Sequence, residues 1–308
     1  MRTPSSSGLL LQAALLVLFT GCAHTPAPTA RYSGPLIDIH THVSWSAQSR
    51  LGESQPEGTE ALLALAAKAG VEKTGIIVMA PRGQLDVTRQ LNDQVLEAAR
   101  QSQGRLFPVG SVHPEDGDLA LAELERLKGL GFRMIKLHPN SQQFDVASPA
   151  LEAVVKKASE LDLVILFDGY SPFDANQPGK FLLLAARNPK ARIVLAHLGG
   201  PRFHDMALFA MMQGYSWYQR NVWFDLSAVA RFYAGSPYAD ELVWLVRKLG
   251  VDRVLFGSDW PVDTPEQAAA AVHQLGFTAE EEAQLFHGTA ASLLGFSPEA
   301  QQAGSLAR

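Results

Sequence analysis

Only one of the 308 residues is a cysteine, Cys22. A disulfide framework and a cysteine-based zinc cluster are both excluded, so stability has to come from packing. Neither sign of charge is in large excess: 26 Lys and Arg stand against 31 Asp and Glu, a net charge of −5. There is no basic stripe, so neither nucleic acid nor an anionic membrane surface is expected as a partner. The longest apolar run, Gly8 to Phe19, falls short of the roughly 20 residues of a membrane-spanning helix. No glycine fingerprint for phosphate follows the first apolar strand, which argues against dinucleotide binding.

What is present begins with that apolar run. Arg2, a polar stretch, the run itself and Phe19-Thr20-Gly21-Cys22 have the three-part build of an export signal. Residues 1–22 resemble a bacterial lipoprotein signal, whose cysteine becomes the lipidated first residue. A plain secretory signal with an incidental cysteine is the alternative. Ala23 in place of Asp implies, by the same resemblance, the outer membrane facing the periplasm, with lipid as the sole membrane contact. Residues 23–34, AHTPAPTARYSG, read as an extended tether, residues 35–296 as the folded domain and 297–308 as a frayed tail.

From Leu36 on, short apolar runs alternate with amphipathic stretches. The expected strands are LIDIH (36–40), TGIIVMA (74–80), LFPVGSV (106–112), FRMIKLH (132–138), LVILFDG (163–169), RIVLAH (192–197), VWFDLSA (222–228) and RVLFGSD (253–259). Most are continuous apolar runs, as strands covered on both faces should be. Helical patterns lie between them, with Ser148-Pro149 and Ser236-Pro237 as starts and Gly131 and Gly250 as stops. Eight such units predict an α/β fold of the TIM-type (β/α)8 barrel class.

Catalytic groups of such barrels sit at the C-terminal ends of the strands. Five of the nine histidines fall there: His40, His42, His113, His138 and His197, joined by Lys136, Asp168 and Asp259. Residues two apart on a strand share a face, so His40 and His42 can both meet the barrel mouth. Strand 8 closes against strand 1, which brings Asp259 beside them. Histidines plus a carboxylate, with a position open for water, suit a catalytic divalent metal. Asp38 is expected as a supporting hydrogen-bonding group at the same edge. His113 precedes Pro114 and is expected to be a solvated loop residue.

The motifs DIHTH (38–42), IKLHP (135–139), LAHLGG (195–200) and FGSDWP (256–261) resemble the amidohydrolase superfamily, in particular its aminocarboxymuconate-semialdehyde decarboxylase-related branch. FHGTAASLLGF (286–296) is similar to the closing helix of that branch. The resemblance implies His40, His42 and Asp259 as metal ligands and His197 beside the metal-bound water and the substrate. It also implies a metal-binding histidine at the end of strand 5, where ILFDGY places Phe167 in that column with Asp168 next to it. Three readings stay open. Asp168 replaces the ligand, or Lys136 contributes as a carboxylated lysine, or the metal is bound weakly or not at all.

One divalent metal ion is expected, with zinc the expected metal. The reaction expected is hydrolysis of a lactone, ester or amide of a small molecule. Asp259 would accept the proton from the metal-activated water, and His197, His138 or Lys136 would polarise the carbonyl. Arg202 is a candidate to hold a substrate carboxylate. Decarboxylation of a small unsaturated acid and a non-catalytic binding protein are the alternatives. A homodimer is expected from the branch resemblance.

Overall fold

The computed structural model describes residues 31–44 and 58–296. The expected signal at 1–22, Cys22, most of the tether and the tail lie outside these residues. Among the described residues, no helix is long and apolar enough to cross a membrane.

Eight strands form one parallel sheet in sequential order: β1 (Leu36–His42), β2 (Val71–Ile77), β3 (Leu106–Gly110), β4 (Met134–Leu137), β5 (Val164–Phe167), β6 (Arg192–Leu195), β7 (Val222–Asp225) and β8 (Val254–Leu255). Backbone bonds between the β1 edge and the chain after β8 close the barrel: Ile39 N–H to Phe256 O at 3.2 Å, Asp259 N–H to His40 O and His42 N–H to Trp260 O, both at 2.7 Å. Helices separate the strands, giving the (β/α)8 barrel expected from the spacing.

Two apolar layers hold it. The larger lies between strands and helices, with Ile76, Ile135, Phe167 and Phe181 among its buried members. The smaller fills the barrel itself with Ile37, Ile39, Ile77, Val109, Met134, Val164, Leu166, Val194 and Leu255. The helix Thr289–Leu294 plugs this inner layer, packing Ala290, Ala291, Leu293 and Leu294 against it. Arg133 donates to Leu294 O (2.6 Å) and Gly295 O (2.7 Å), and Arg192 to Leu293 O (2.9 Å), so two guanidinium groups satisfy that helix's last carbonyls.

Several local starts follow the sequence. Ser148 Oγ accepts from Leu151 N at 3.2 Å and caps the helix Pro149–Glu160. The helix after Ser236-Pro237 begins only at Ala239, since Ser236 Oγ is used by Tyr238 N in a preceding turn. β8 is two residues long, not seven. Past Leu255 the chain bends through Gly257 to a positive φ of 59° at Asp259, while its bonds to β1 continue.

Candidate active site

Side chains reach the barrel mouth by strand alternation. On β4, Met134 points into the inner layer, and Lys136 follows two residues on. On β5, Leu166 belongs to the inner layer, whereas Phe167 packs outward on Phe181 with ring centroids 5.2 Å apart. The inward position after Leu166 is therefore Asp168. The ligand column expected to hold Phe167 is held by a carboxylate. On β1 strict alternation from Ile37 and Ile39 would send His40 outward. A register shift between Asp38 and Thr41 against β2 turns the strand, and His40 and His42 both arrive at the mouth.

His40 is fully buried. Its Nδ1 lies 2.9 Å from Asp225 Oδ2, and its Nε2 lies 3.0 Å from Lys136 Nζ and 3.3 Å from Asp259 Oδ1. The acceptor carboxylate of Asp225 fixes the hydrogen on Nδ1 and leaves Nε2 as a lone pair facing the cluster. Asp259 Oδ1 is also 3.2 Å from His42 Nε2. Ligand atoms of His40, His197 and Asp259 lie within 4.8 Å of one another, close enough to share one metal ion. His197 Nε2 and His138 Nε2 each sit 3.3 Å from Asp168 Oδ2. His197 Nδ1 faces Ser227 Oγ at 2.9 Å.

The charges follow from this packing. Burial, with the neighbouring Lys136 charge, lowers His40 and keeps it neutral despite Asp225 and Asp259. Burial likewise takes His42 down to about 4 against the pull of Asp259. For His197 burial opposes the cation, but its hydrogen bond to Asp168 and the fields of Asp259, Asp168 and Asp225 prevail and raise it to about 9. Burial would raise the Asp259 carboxyl; His40, His42 and His197 outweigh that and hold it well below the carboxylate range. Asp168 is depressed in the same way, against burial, by His197, His138 and Lys136. His197 is thus a cation set between the anions Asp168 and Asp259.

Sequence reasoning missed Asp225. Its Oδ1 accepts from His197 N (2.9 Å), Ser227 N (3.0 Å) and the Ser227 hydroxyl, while Oδ2 holds His40. Burial works against its charge, yet the contact with His40, the nearby His197 cation and these bonds keep it at about 2. The signal was present: Asp225 ends the apolar run VWFD, as Asp168 ends VILF.

Asp38 supports the site from below, its Oδ1 accepting from His40 N (3.1 Å) and Ser258 N (3.0 Å) and so tying β1 to the β8 end. Its pKa is pushed up to about 7 by burial. Arg202 does not reach the cluster. It pairs with Asp205 at 2.5 Å and Ala175 O at 3.1 Å and lines an outer groove. His113 is not solvated. It is buried, with Nε2 2.7 Å from Gln142 O, and Gln142 Oε1 accepts from His138 N at 2.8 Å, so it braces the turn that carries His138.

Two cavities meet at His197 and Asp259. One, of about 250 Å³, is lined by His42, Ser44, His138, Ser141 and Asp168, with Met79, Pro261 and Val262. The other, of about 220 Å³, is lined by Tyr170, Pro201, Val229 and Phe232 and is largely apolar.

A family model described as Amidohydrolase matches residues 37–296. No match was found among curated proteins. Among solved structures, the 5-carboxyvanillate decarboxylase of Sphingomonas paucimobilis is similar at a TM-score of 0.68 and 16% identity, covering 85% of this chain and 99% of its own. A dihydroxybenzoic acid decarboxylase from Polaromonas sp. JS666, with bound manganese and the inhibitor 2-nitroresorcinol, gives 0.68 at 18% identity, with coverages of 87% and 99%. A probable 2-pyrone-4,6-dicarboxylic acid hydrolase from Acinetobacter baumannii, with citric acid bound, gives 0.62 at 18%, with 85% and 99%. At these identities the likeness is one of fold.

Proposed function

Since the chain belongs to the amidohydrolase family, we propose that it is a metal-dependent enzyme that decarboxylates a small unsaturated or aromatic carboxylic acid. The observation that carries this reading is the meeting of a polar and an apolar cavity at a buried cation, His197, and a buried anion, Asp259. The donor set suits a divalent metal. His40 offers a lone pair fixed by Asp225, and His42 Nε2 and Asp259 lie beside it. Zinc accepts such ligands, and manganese is bound by a similar decarboxylase, so either metal fits. When bound, the metal supplies Lewis-acid polarisation of a substrate oxygen.

The chain's own residues do the rest. The unsaturated body of the substrate fits the apolar cavity of Tyr170, Pro201, Val229 and Phe232, which excludes water. Its carboxylate faces His197. The carbon–carboxylate bond breaks, carbon dioxide leaves, and the electron pair stays on the carbon. That carbon takes the proton from His197 Nε2, and water restores it. Asp168, 3.3 Å from the same nitrogen, holds the imidazolium in place. Asp259 is held too far below the usual range to be the donor. The decarboxylases among the similar structures support this direction.

Hydrolysis of a lactone, ester or amide is the second reading. What favours it is an anionic carboxylate, Asp259, at the polar cavity, together with a similar structure that is a probable 2-pyrone-4,6-dicarboxylic acid hydrolase. We also carry forward the lipoprotein signal at 1–22, with Cys22 lipidated and the barrel facing the periplasm, on its sequence pattern alone.

The two reactions separate in heavy water. Manganese-supplied protein, offered a panel of hydroxybenzoic acids, should release carbon dioxide and leave one deuterium on the vacated carbon. His197→Asn should lower kcat/KM by about a thousandfold, in line with loss of a general acid. Ring opening of lactones with no loss of carbon dioxide from any acid would replace this reading with the hydrolytic one.

A further inference from the structure

The net charge of −5 conceals a division between the two ends of the barrel. Near the mouth the surface cations are neutralised in place: Arg82 by Glu115, Lys180 by Asp145 and Asp174, Arg202 by Asp205 and Arg231 by Asp263. The opposite end, where helices finish and strands begin, is different. Arg100 and Arg105 flank the turn into β3, Lys128 and Arg133 the turn into β4, Lys190 stands in the turn into β6 and Lys248 just before the turn into β8. Acids at this end are engaged elsewhere: Asp162 with Arg192, Asp252 with Arg253 and Glu281 with Arg247. Among the described residues, none of the cations named for this end has an acidic partner. Helix dipoles account for Arg100, Lys128 and Lys248, which close helices. Arg105 and Arg133 bond to backbone carbonyls, which leaves their positive charge in place. The sequence shows no basic stripe because these residues are dispersed along the chain, and the fold collects them.

Beside them the turn into β7 puts apolar surface in water. Tyr215 is 51% and Trp217 54% exposed, with ring centroids 6.0 Å apart. Backbone bonds from Tyr215 N to Met212 O at 3.0 Å and from Tyr218 N to Tyr215 O at 3.1 Å hold the turn, and Tyr218 anchors it in the core. Exposed tyrosine and tryptophan flanked by Lys and Arg is the composition that settles at a membrane–water interface.

The N-terminal segment joins the fold at this same end. Tyr32 stacks on Phe286 and donates its N–H to Glu282 at 2.8 Å, and Leu36 N then bonds to Gly70 O in the turn before β2. The stretch between the apolar run Gly8 to Phe19 and Arg31 can span at most about 40 Å. A nucleic-acid duplex calls for cations along one stripe, whereas these stand around the circle of strand starts.

We propose that this end of the barrel is a docking face for a bilayer with anionic headgroups, its cations at phosphate level and Tyr215 and Trp217 in the interface. So docked, the mouth with His197 and Asp259 opens away from the lipid and takes its substrate from water. The proposal depends neither on the reaction above nor on lipid at Cys22.

Full-length protein with Cys22→Ser, to which no lipid can be attached, is the parent for the test. It is compared with a triple variant that adds Arg100→Gln, Lys190→Gln and Lys248→Gln. Among the described residues these three side chains make no hydrogen bond, so the fold is expected to survive. Partition is read by flotation with vesicles of phosphatidylcholine, alone or mixed with phosphatidylglycerol. The apolar run at 8–19 contributes equally to every sample, so the differences carry the result. Phosphatidylglycerol should raise the parent's partition at least about tenfold, and salt should erase the gain. The triple variant should lose about tenfold or more of it, at about fivefold per charge. Equal partition into both vesicles, or a triple variant that keeps the parent's gain, overturns the proposal. Tighter binding of a DNA duplex than of the anionic vesicles at the same salt also overturns it and assigns the face to nucleic acid. Should the apolar run hold every sample on the vesicles, tryptophan quenching by acyl-brominated phosphatidylglycerol decides. Trp217→Phe should remove a large part of the quenching and the triple variant should weaken it; quenching unchanged in both overturns the docking face.

Discussion

Gly257 shows how little room the site leaves at the level of single atoms. A Cβ there would lie 2.8 Å from His40 Cβ, 3.4 Å from Ser227 Cβ and 3.6 Å from Asp225 Cγ. The glycine is required by this close approach, which lets His40 sit against Asp225. Gly257→Ala should push the imidazole off its carboxylate, lower metal affinity about tenfold or more and cost about 1–3 kcal/mol of stability. Competition with a metal-chelating dye and urea unfolding check the two effects. A variant destabilised but unchanged in metal affinity would show that the His40–Asp225 contact does not govern the donor. At this scale the sequence was legible wherever a polar residue ended an apolar run. His40, His42, His138, Asp168, His197 and Asp259 all converge at the mouth. Asp225 obeys the same rule and was overlooked because it pairs with no histidine in sequence. Arg202 and His113 could not be judged, since a loop residue's direction depends on contacts from other elements: Asp205 and Ala175 for one, Gln142 for the other.

Strand positions were legible because parallel strands buried on both faces read as apolar runs. Their faces were less so. A period of two predicts Met134-Lys136-His138 correctly, but on β1 it fails at the shift between Asp38 and Thr41, which no residue pattern announces. The end of β5 illustrates the same limit: Phe167 and Asp168 are neighbours in sequence and face opposite layers. The closing helix is a further case of an element whose job is set by packing. Its continuation, Phe296, packs tilted against Phe107 with ring centroids 5.1 Å apart and lies under Arg133 at 5.2 Å, at the end of the barrel away from the site. Phe296→Ala should lower stability by about 2 kcal/mol, less than a fully buried phenylalanine would, and leave kcat/KM and metal affinity unchanged. Thermal melting with parallel dye competition tests this; a loss of metal affinity matching the loss of stability would mean that the plug and the mouth are coupled.

The whole barrel unites residues from both ends of the folded domain. His40 and Asp259 are far apart in sequence and 3.3 Å apart at the site because the chain after β8 bonds to β1. That closure was predictable from eight evenly spaced units, and with it the position of the site. Invisible from sequence was the electrostatic order: a neutral His40 between Asp225 and Lys136, and a cationic His197 between Asp168 and Asp259. Those states depend on burial and on partners from four other strands or strand ends, which only the assembled barrel brings together. The central claim, that this cluster holds one divalent metal, is tested most directly by metal content. The protein would be dialysed against Mn²⁺ or Zn²⁺, freed of excess ion and analysed beside His40→Ala and Asp259→Ala. One metal per chain in the wild type and a small fraction of that in both variants is the predicted result. A wild type that retains no metal, or variants that retain as much as it does, would contradict the account.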